Sequence, residues 1–279
     1  MQPNRYLIPP RPKLGEKDFQ QISSYIHNNF GIKLPLSKLI LVESRLIKRI
    51  LKLNLKSFSD YVSFVFSKDG IAEQVELIDS ICTNKTDFFR EDHHFNFLEK
   101  HAAAIQGSKT LKVWSAACSS GEEPYTIAMV LEDLKSKKTG FDYQILATDI
   151  SSAILRKARR GEFGADKVAM VPGRFQEKYF EHGSDSSNVA SGLKRAITFD
   201  QFNLVDDSGY RNITKTFDFI FCRNVLIYFD QATQAKVVSN LISKLTPGGF
   251  LCLGHSETLL GRNVNLQQAQ PTIYRKSNA

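Results

Sequence analysis

The sequence predicts a doubly wound, Rossmann-like α/β domain that carries a small antiparallel β insertion and is preceded by a small all-helical domain. Three observations carry this. Apolar residues recur at helical spacing from about residue 13 to 82. Strands alternate with helices from Leu111 onward. The first of those strands runs into a turn of tiny residues, Ser115 to Gly121, that opens a helix.

In the helical region, Glu16 to Asn29 sets Phe19, Ile22 and Ile26 at helical spacing, continued by Phe30 and stopped by Gly31. Ser37 to Leu55 is predicted as a second helix, Ser57 to Phe66 as a third opened by a serine, and Ile71 to Cys82 as a fourth. At about 100° per residue, Lys38, Arg45, Lys48, Arg49, Lys52 and Lys56 of the second helix share an arc of roughly 100°. Leu39, Leu46, Ile47, Ile50 and Leu51 occupy the opposite side. A solvated cationic face is the plain alternative. Like charges crowded on one stripe repel each other without structural gain, so the expectation is a docking surface for an acidic macromolecule.

In the second region Leu111–Ala116 is a strand and Glu123–Leu134 the helix after the turn. Tyr143–Thr148 is a strand ending at Asp149, with a helix from Ser151 to Arg160. Phe217–Cys222 is an apolar strand, Gln231–Leu245 a helix, and Phe250–Gly254 a strand entered through Pro247, Gly248 and Gly249. Such β-α-β spacing argues for a mainly parallel sheet that binds ligands beyond its carboxyl ends. Between Gly161 and Phe202 the pattern breaks, around a polar loop at 183–188 and an extended Leu193–Phe199. The predicted division is a helical domain at 13–82, a linker at 83–100 and the α/β domain at 101–279, with its insertion at about 161–202.

Composition narrows the function. Of 279 residues 42% are hydrophobic, including 20 Phe, enough for a sizeable core. No apolar run reaches bilayer length and no signal-peptide core is visible, so a cytoplasmic protein without membrane insertion is expected. Cys82, Cys118, Cys222 and Cys252 lack metal spacing, which predicts packed thiols and no metal site. The net charge of +8 implies an acidic partner.

The turn carries the chemistry. Small side chains at Ala116 and Gly121 let a ligand approach the backbone, and the following helix offers free N–H groups. Glu122 and Glu123 would repel a phosphate, so the turn prefers a ligand bearing hydroxyls or a cation. S-adenosylmethionine has both, and methyl transfer is the indicated reaction. Asp149, one strand later, can accept from both ribose hydroxyls, with capping of the next helix as its plain role. Asn203, after the third strand, can face an adenine edge or serve as a turn residue. Arg223, Asn224 and Tyr228 follow the fourth strand, where apolar residues would otherwise be expected. Asn224 lacks the following prolines and aromatic of nucleobase amino-methyltransferases, which counts against nucleic acid as the acceptor.

Several blocks, in order, closely resemble the CheR family of chemotaxis methyltransferases: Asn84 to Phe95, the Ser115–Ala128 turn, Ala147 to Ile150, Cys222 to Asp230 and Gly254 to Glu257. The resemblance implies methyl transfer from S-adenosylmethionine to glutamate side chains of chemoreceptor cytoplasmic domains. It implies that Asn84, Thr86, Arg90, Glu123, Asp149, Asn203, Leu204, Arg223 and Asn224 line the cofactor pocket, and that Arg90 and Tyr228 orient the reacting groups. By the same resemblance the helical domain and the insertion are the two receptor-contacting parts, which gives the cationic stripe of Lys38, Arg45, Lys48, Arg49 and Lys52 the receptor's acidic helical bundle as a partner and leaves the insertion open to a receptor C-terminal tail peptide. Cys118 stands where relatives often carry Ala, which would leave the pocket open to oxidation. His93 and His94 are expected to be packing or linker residues.

Overall fold

The computed structural model describes residues 12–105, 110–259 and 265–278. They fall into two compact units, divided between Cys82 and Thr83.

The first unit is four helices: α1 (Glu16–Phe30), α2 (Leu39–Lys52), α3 (Phe58–Val65) and α4 (Ile71–Ile81). Gly31 ends α1 at φ 70°, a conformation that glycine adopts without penalty. The Ser57 hydroxyl caps α3 by accepting from the Asp60 N–H. Phe19, Ile22, Ile26, Leu46, Ile50 and Leu77 form the centre of the core. Ser37 and Lys38, predicted as the start of the second helix, instead lie in a separate 3₁₀ turn (Leu36–Lys38) after the extended Pro35.

The cationic stripe of α2 is divided. Val42, Leu46 and Ile50 are its buried side, while Ile40 is 76% and Leu51 65% exposed. Arg49 lies at the border and turns inward, with Nη2 donating to Glu73 Oε2 at 2.5 Å and Nη1 2.8 Å from Glu76. Arg45 donates to the carbonyls of Ile81 and Cys82 at the end of α4, where a cation offsets the helix dipole. Glu73 is buried and takes a further hydrogen bond from the Tyr61 hydroxyl. Arg45 and Arg49 therefore tie α2 to α4 within the unit. Long guanidinium stems at a helix border can fold inward, and a wheel does not see where α4 lies. Lys38, Lys48 and Lys52 remain exposed.

The second unit runs α5 (His93–Ala104), β1 (Thr110–Ser115), α6 (Glu122–Lys135), β2 (Asp142–Asp149), α7 (Ser152–Arg160), β3 (Glu162–Gly164), α8 (Ala165–Val168), α9 (Gly173–Tyr179), β4 (Phe180–His182), β5 (Ser186–Val189), α10 (Ser191–Arg195), β6 (Ile197–Gln201), α11 (Asp207–Asn212), β7 (Phe217–Cys222), α12 (Gln231–Ser243), β8 (Leu245–Leu253), β9 (Leu266–Gln270) and β10 (Ile273–Lys276). The main sheet is ordered β6-β2-β1-β7-β8-β10-β9. Its first five strands are parallel and β10 and β9 close the far edge antiparallel. The strand order reverses between β1 and β7, which sets the switch point beyond their carboxyl ends. Every residue of β7 is buried, as expected of a central parallel strand, and its one charged residue, Asp218, accepts from the Lys112 N–H at 2.9 Å.

The insertion is smaller than expected. Its antiparallel sheet, ordered β3-β5-β4, ends at Val189. The stretch read as extended from Leu193 holds α10 first, and then β6 pairs parallel with β2 as an edge of the main sheet. An edge strand buries little; only Ile197 of β6 is buried, so the largely apolar pattern of β7 is missing here. The segment read as a linker is part of the second unit. Phe88, Phe95, Phe97 and Leu98 are buried in its core, and Phe89 stacks on Phe175 at 5.3 Å. Among the described residues no helix is long and apolar enough to cross a membrane, and no group of side chains could hold a metal ion.

Candidate active site

The site is assembled where β1, β2, β7 and β8 end. After β1 the chain is pinned at both sides: Ala116 N–H donates to Phe221 O at 2.7 Å and Cys118 N–H to Thr148 O at 2.8 Å. Ser119 adopts φ 50° and its N–H donates to Asp149 Oδ2 at 2.8 Å, so the β1 turn and the end of β2 share one carboxylate. Asp149 also accepts from the Ser151 N–H at 3.0 Å. The Ser119 hydroxyl donates to Asn84 O at 3.3 Å, and Lys167 holds Thr86 O at 2.6 Å, which lays residues 84–86 along the same turn.

Gly121 has φ 101°, and a Cβ there would sit 3.1 Å from the Tyr125 ring and 3.2 Å from Ala158. Backbone conformation and the packing of α6 on α7 demand this glycine, a reason separate from ligand approach. Glu122 and Glu123, at the start of α6, are both buried. Glu122 accepts from the Ser120 hydroxyl at 2.6 Å, and burial pushes its carboxyl up.

Glu123 opens a buried polar chain. It accepts from Ser115 Oγ at 2.6 Å and from Arg223 Nη1 at 2.8 Å. The other arm of Arg223 donates to the carbonyl of Arg90 and lies 3.2 Å from Glu91 Oε2, with the guanidinium 5.4 Å over the Phe95 ring. Glu91 accepts from Asn224 Nδ2 at 3.4 Å. Burial alone would raise the Glu91 carboxyl, but the Arg223 charge and the bonds from Arg223 and Asn224 hold it below its ordinary value. Phe89, Glu91 and Asn224 all have φ between 52° and 57°, the left-handed region that non-glycine residues enter at a cost. Arg90 Nη1 donates to Lys85 O at 3.1 Å, and its half-exposed side chain lines a cleft of about 420 Å³ with Phe89, Asp92, Arg174 and Phe175. Tyr228, half-buried, ends a single 3₁₀ turn on the loop that carries Arg223 and Asn224.

Asn203 closes a local turn, its side-chain oxygen accepting from Val205 N–H at 3.2 Å, and Leu204 is buried. Cys118 is wholly buried, and burial together with Asp149 and Glu123 pushes its thiol far up, so the expected ease of oxidation is not supported. Glu91 and Glu257 both hold Asn224, and sequence reading did not single them out, although both fall within blocks that resemble the CheR family. A carboxylate inside a dense polar motif is the signal that could have found them.

The family model described as CheR methyltransferase, SAM binding domain matches residues 84–275, and the CheR methyltransferase all-alpha domain matches residues 17–82. The chain belongs to the CheR methyltransferase family. It is 39% identical to a chemotaxis protein methyltransferase of Borreliella burgdorferi, over 93% of this chain and 94% of the relative. It is 37% identical to the chemotaxis protein methyltransferase of Escherichia coli, over 96% and 93% of the two chains. Chemotaxis protein methyltransferase 2 of Pseudomonas aeruginosa is 35% identical over 92% of each. As a CheR-family member the chain is a methyltransferase that uses S-adenosylmethionine.

The residues present fit that cofactor. The Asp149 carboxylate, at the end of β2 beside the β1 turn, suits ribose hydroxyls and would reject a phosphate. Arg223 Nε is a buried donor with no hydrogen-bond partner among the described residues, a group that a ligand carboxylate satisfies.

Beside this CheR network His94 is fully buried and bonds Thr272 Oγ1 at 3.0 Å through Nε2, with the His93 ring 4.0 Å away. Burial, with Arg223, His93 and His255 nearby, lowers its pKa from the ordinary 6.5 to about 2. The folded state thus keeps His94 neutral while the unfolded chain protonates it. Its contribution is complete above the unfolded value and is lost as pH falls toward the folded one. Between pH 6.5 and pH 5 this residue is expected to cost about 2 kcal/mol of stability, and urea midpoints against pH should show a flatter acid limb in His94→Gln. Parallel curves for the two proteins would remove the assignment.

Proposed function

We propose that this chain transfers the methyl group of S-adenosylmethionine to glutamate carboxylates in the cytoplasmic helical bundle of chemoreceptors, giving methyl esters that serve adaptation. The observation that carries the reading is the buried Glu123–Arg223–Glu91 chain, which joins the Arg90 segment to the Asn224–Tyr228 loop inside a CheR-family domain. The relatives' names add chemotaxis as the setting.

When bound, S-adenosylmethionine supplies a methyl group activated on a cationic sulfur. Asp149 would hold the ribose hydroxyls, and Asn84, Thr86, Ala116, Gly121, Glu123, Asn203, Leu204, Arg223 and Asn224 would line the rest of its pocket. A receptor glutamate is already ionised near neutrality, since a free glutamate has a pKa of about 4.3. No general base is needed. The task left to the protein is alignment and control of charge. Arg90 and Tyr228 place the acceptor carboxylate by hydrogen bonds, and Arg90 stays half-exposed, so that it does not clamp the carboxylate in a tight, unreactive ion pair.

In the first unit, Lys38, Lys48 and Lys52 border the exposed Ile40 and Leu51, a surface that complements a helical bundle bearing acidic methylation sites. The β3-β5-β4 sheet is the second candidate contact, for a receptor C-terminal tail peptide. Lys48→Glu with Lys52→Glu is expected to raise the apparent KM for a receptor fragment about 3- to 10-fold, more at low salt because exposed charges are screened. Equal KM and equal salt response in the variant would remove this surface. Arg45 and Arg49 are left out of the test because their reversal would break the Glu73 cluster and the end of α4.

The overall reading is tested with labelled S-adenosylmethionine, receptor cytoplasmic fragments and RNA as a parallel acceptor. Base-labile label on the receptor fragment is the expected result. Label on RNA, or cofactor binding with no transfer to any receptor, would overturn it.

A further inference from the structure

We infer that Glu257 is a positioning residue for the methyl-transfer reaction: its buried carboxylate fixes the loop that carries Arg223, Asn224 and Tyr228. The inference rests on the function proposed above for the reaction it serves, but the geometry stands independently. Beyond β7 the sheet ladder ends, and the backbone N–H groups leading into the 3₁₀ turn at Leu226–Tyr228 need other partners. Glu257, 5% exposed, supplies them from the turn after β8. Its Oε2 accepts from the Asn224 N–H at 2.8 Å and from the Gly254 N–H at 2.8 Å, and its Oε1 from the Ile227 N–H at 3.3 Å. One carboxylate thus laces two chain segments together at the carboxyl end of the sheet.

Two further observations show that the local structure is built around this group. Asn224 sits at φ 57°, a left-handed turn conformation that asparagine enters more readily than other non-glycine residues, with its N–H directed at Glu257. Gly254 permits the approach: a Cβ there would come within 2.5 Å of Asn224 Nδ2 and 2.9 Å of Glu257 Oε2. On its far side Asn224 is gripped by Glu91. The backbone of Asn224 therefore belongs to Glu257 and its side chain to Glu91, with Tyr228 one turn further along the same loop. No side-chain cation pairs with Glu257 among the described residues; backbone N–H dipoles alone offset its charge. That is an arrangement suited to fixing backbone. It does not suit proton transfer, because the carboxylate oxygens face N–H donors.

The test is Glu257→Gln, which keeps size and shape but turns an NH₂ group toward N–H donors. A core variant, Val238→Ala on α12, serves as a control for plain loss of stability. Amide exchange at residues 223–229 and 254 is expected to rise at least about tenfold in Glu257→Gln and to stay at wild-type rates in Val238→Ala. The kcat for a receptor fragment is expected to fall about 10- to 100-fold, with the acceptor KM within about twofold, when assayed well below either melting temperature. Glu257→Asp should recover part of both readouts. Wild-type exchange at these amides in Glu257→Gln would overturn the inference, as would loop exchange and kcat changes of equal size in Val238→Ala. If the wild type methylates no receptor, the proposed function falls, and the exchange data still decide the role of Glu257.

Discussion

Replacing Arg223 with methionine is expected to destabilise the second unit by about 3–5 kcal/mol and to abolish measurable S-adenosylmethionine binding. The guanidinium is 3% exposed and touches two carboxylates, each 10% exposed. Removing it leaves Glu123 and Glu91 buried without their cation, and an unpaired buried charge costs far more than the pair contributes. The same change frees the Arg90 carbonyl and removes the tie between the 84–92 segment and the β7 loop. Urea unfolding and calorimetric titration with S-adenosylmethionine measure the two effects. Adding Glu123→Gln should recover part of the stability, since one orphaned charge is neutralised, and none of the binding. A single variant within about 1 kcal/mol of wild type would mean that Arg223 does not hold Glu123 and Glu91 together as a buried ionic chain.

Arg90→Ala is expected to lower turnover about 100-fold or more, with cofactor affinity reduced only a few-fold. Its carbonyl, which Arg223 uses, is retained in the variant, so the buried chain survives. Its guanidinium lines the cleft, with a hydrogen bond to Lys85 O and an ion pair to Glu91 Oε1 at 3.9 Å, and about a third of the side chain stays exposed to meet an acceptor carboxylate. Placement of two reacting groups is worth several orders of magnitude in rate, and removal of one placing contact should appear in kcat. Single-turnover rates with saturating receptor fragment, set beside titrations with S-adenosylhomocysteine, separate the two quantities. Equal turnover in wild type and variant would end the assignment of Arg90 to the reacting groups.

How much of this was legible follows the distance over which each feature is decided. Helices α1, α3 and α4 were visible because their apolar spacing, the Ser57 cap and the Gly31 stop lie within the helix or next to it. The buried run of β7 and the glycine turn after β1 were visible for the same reason. The split of the α2 stripe was not. Nothing within α2 says that Arg49 meets Glu73 and Glu76 while Lys48 and Lys52 face outward. The edge strand β6 was misplaced because its identity comes from pairing with β2, about 50 residues earlier in the chain.

By itself the sequence determined the kind of chemistry this protein carries: a turn of small residues before a helix, a carboxylate ending the next strand, and dense polar motifs after β7 and before α5. These are short-range patterns, and the backbone physics of a β-α turn acts on them directly. Only the tertiary structure decided which of those polar groups act together. Arg223 and Glu123 are separated by 100 positions, Arg223 and the Arg90 carbonyl by 133, and Glu257 and Asn224 by 33. The sheet order brings the ends of their strands side by side. A charge that water would solvate in the open chain must there find its partner within a few ångströms, because burial removes the water that would otherwise stabilise it.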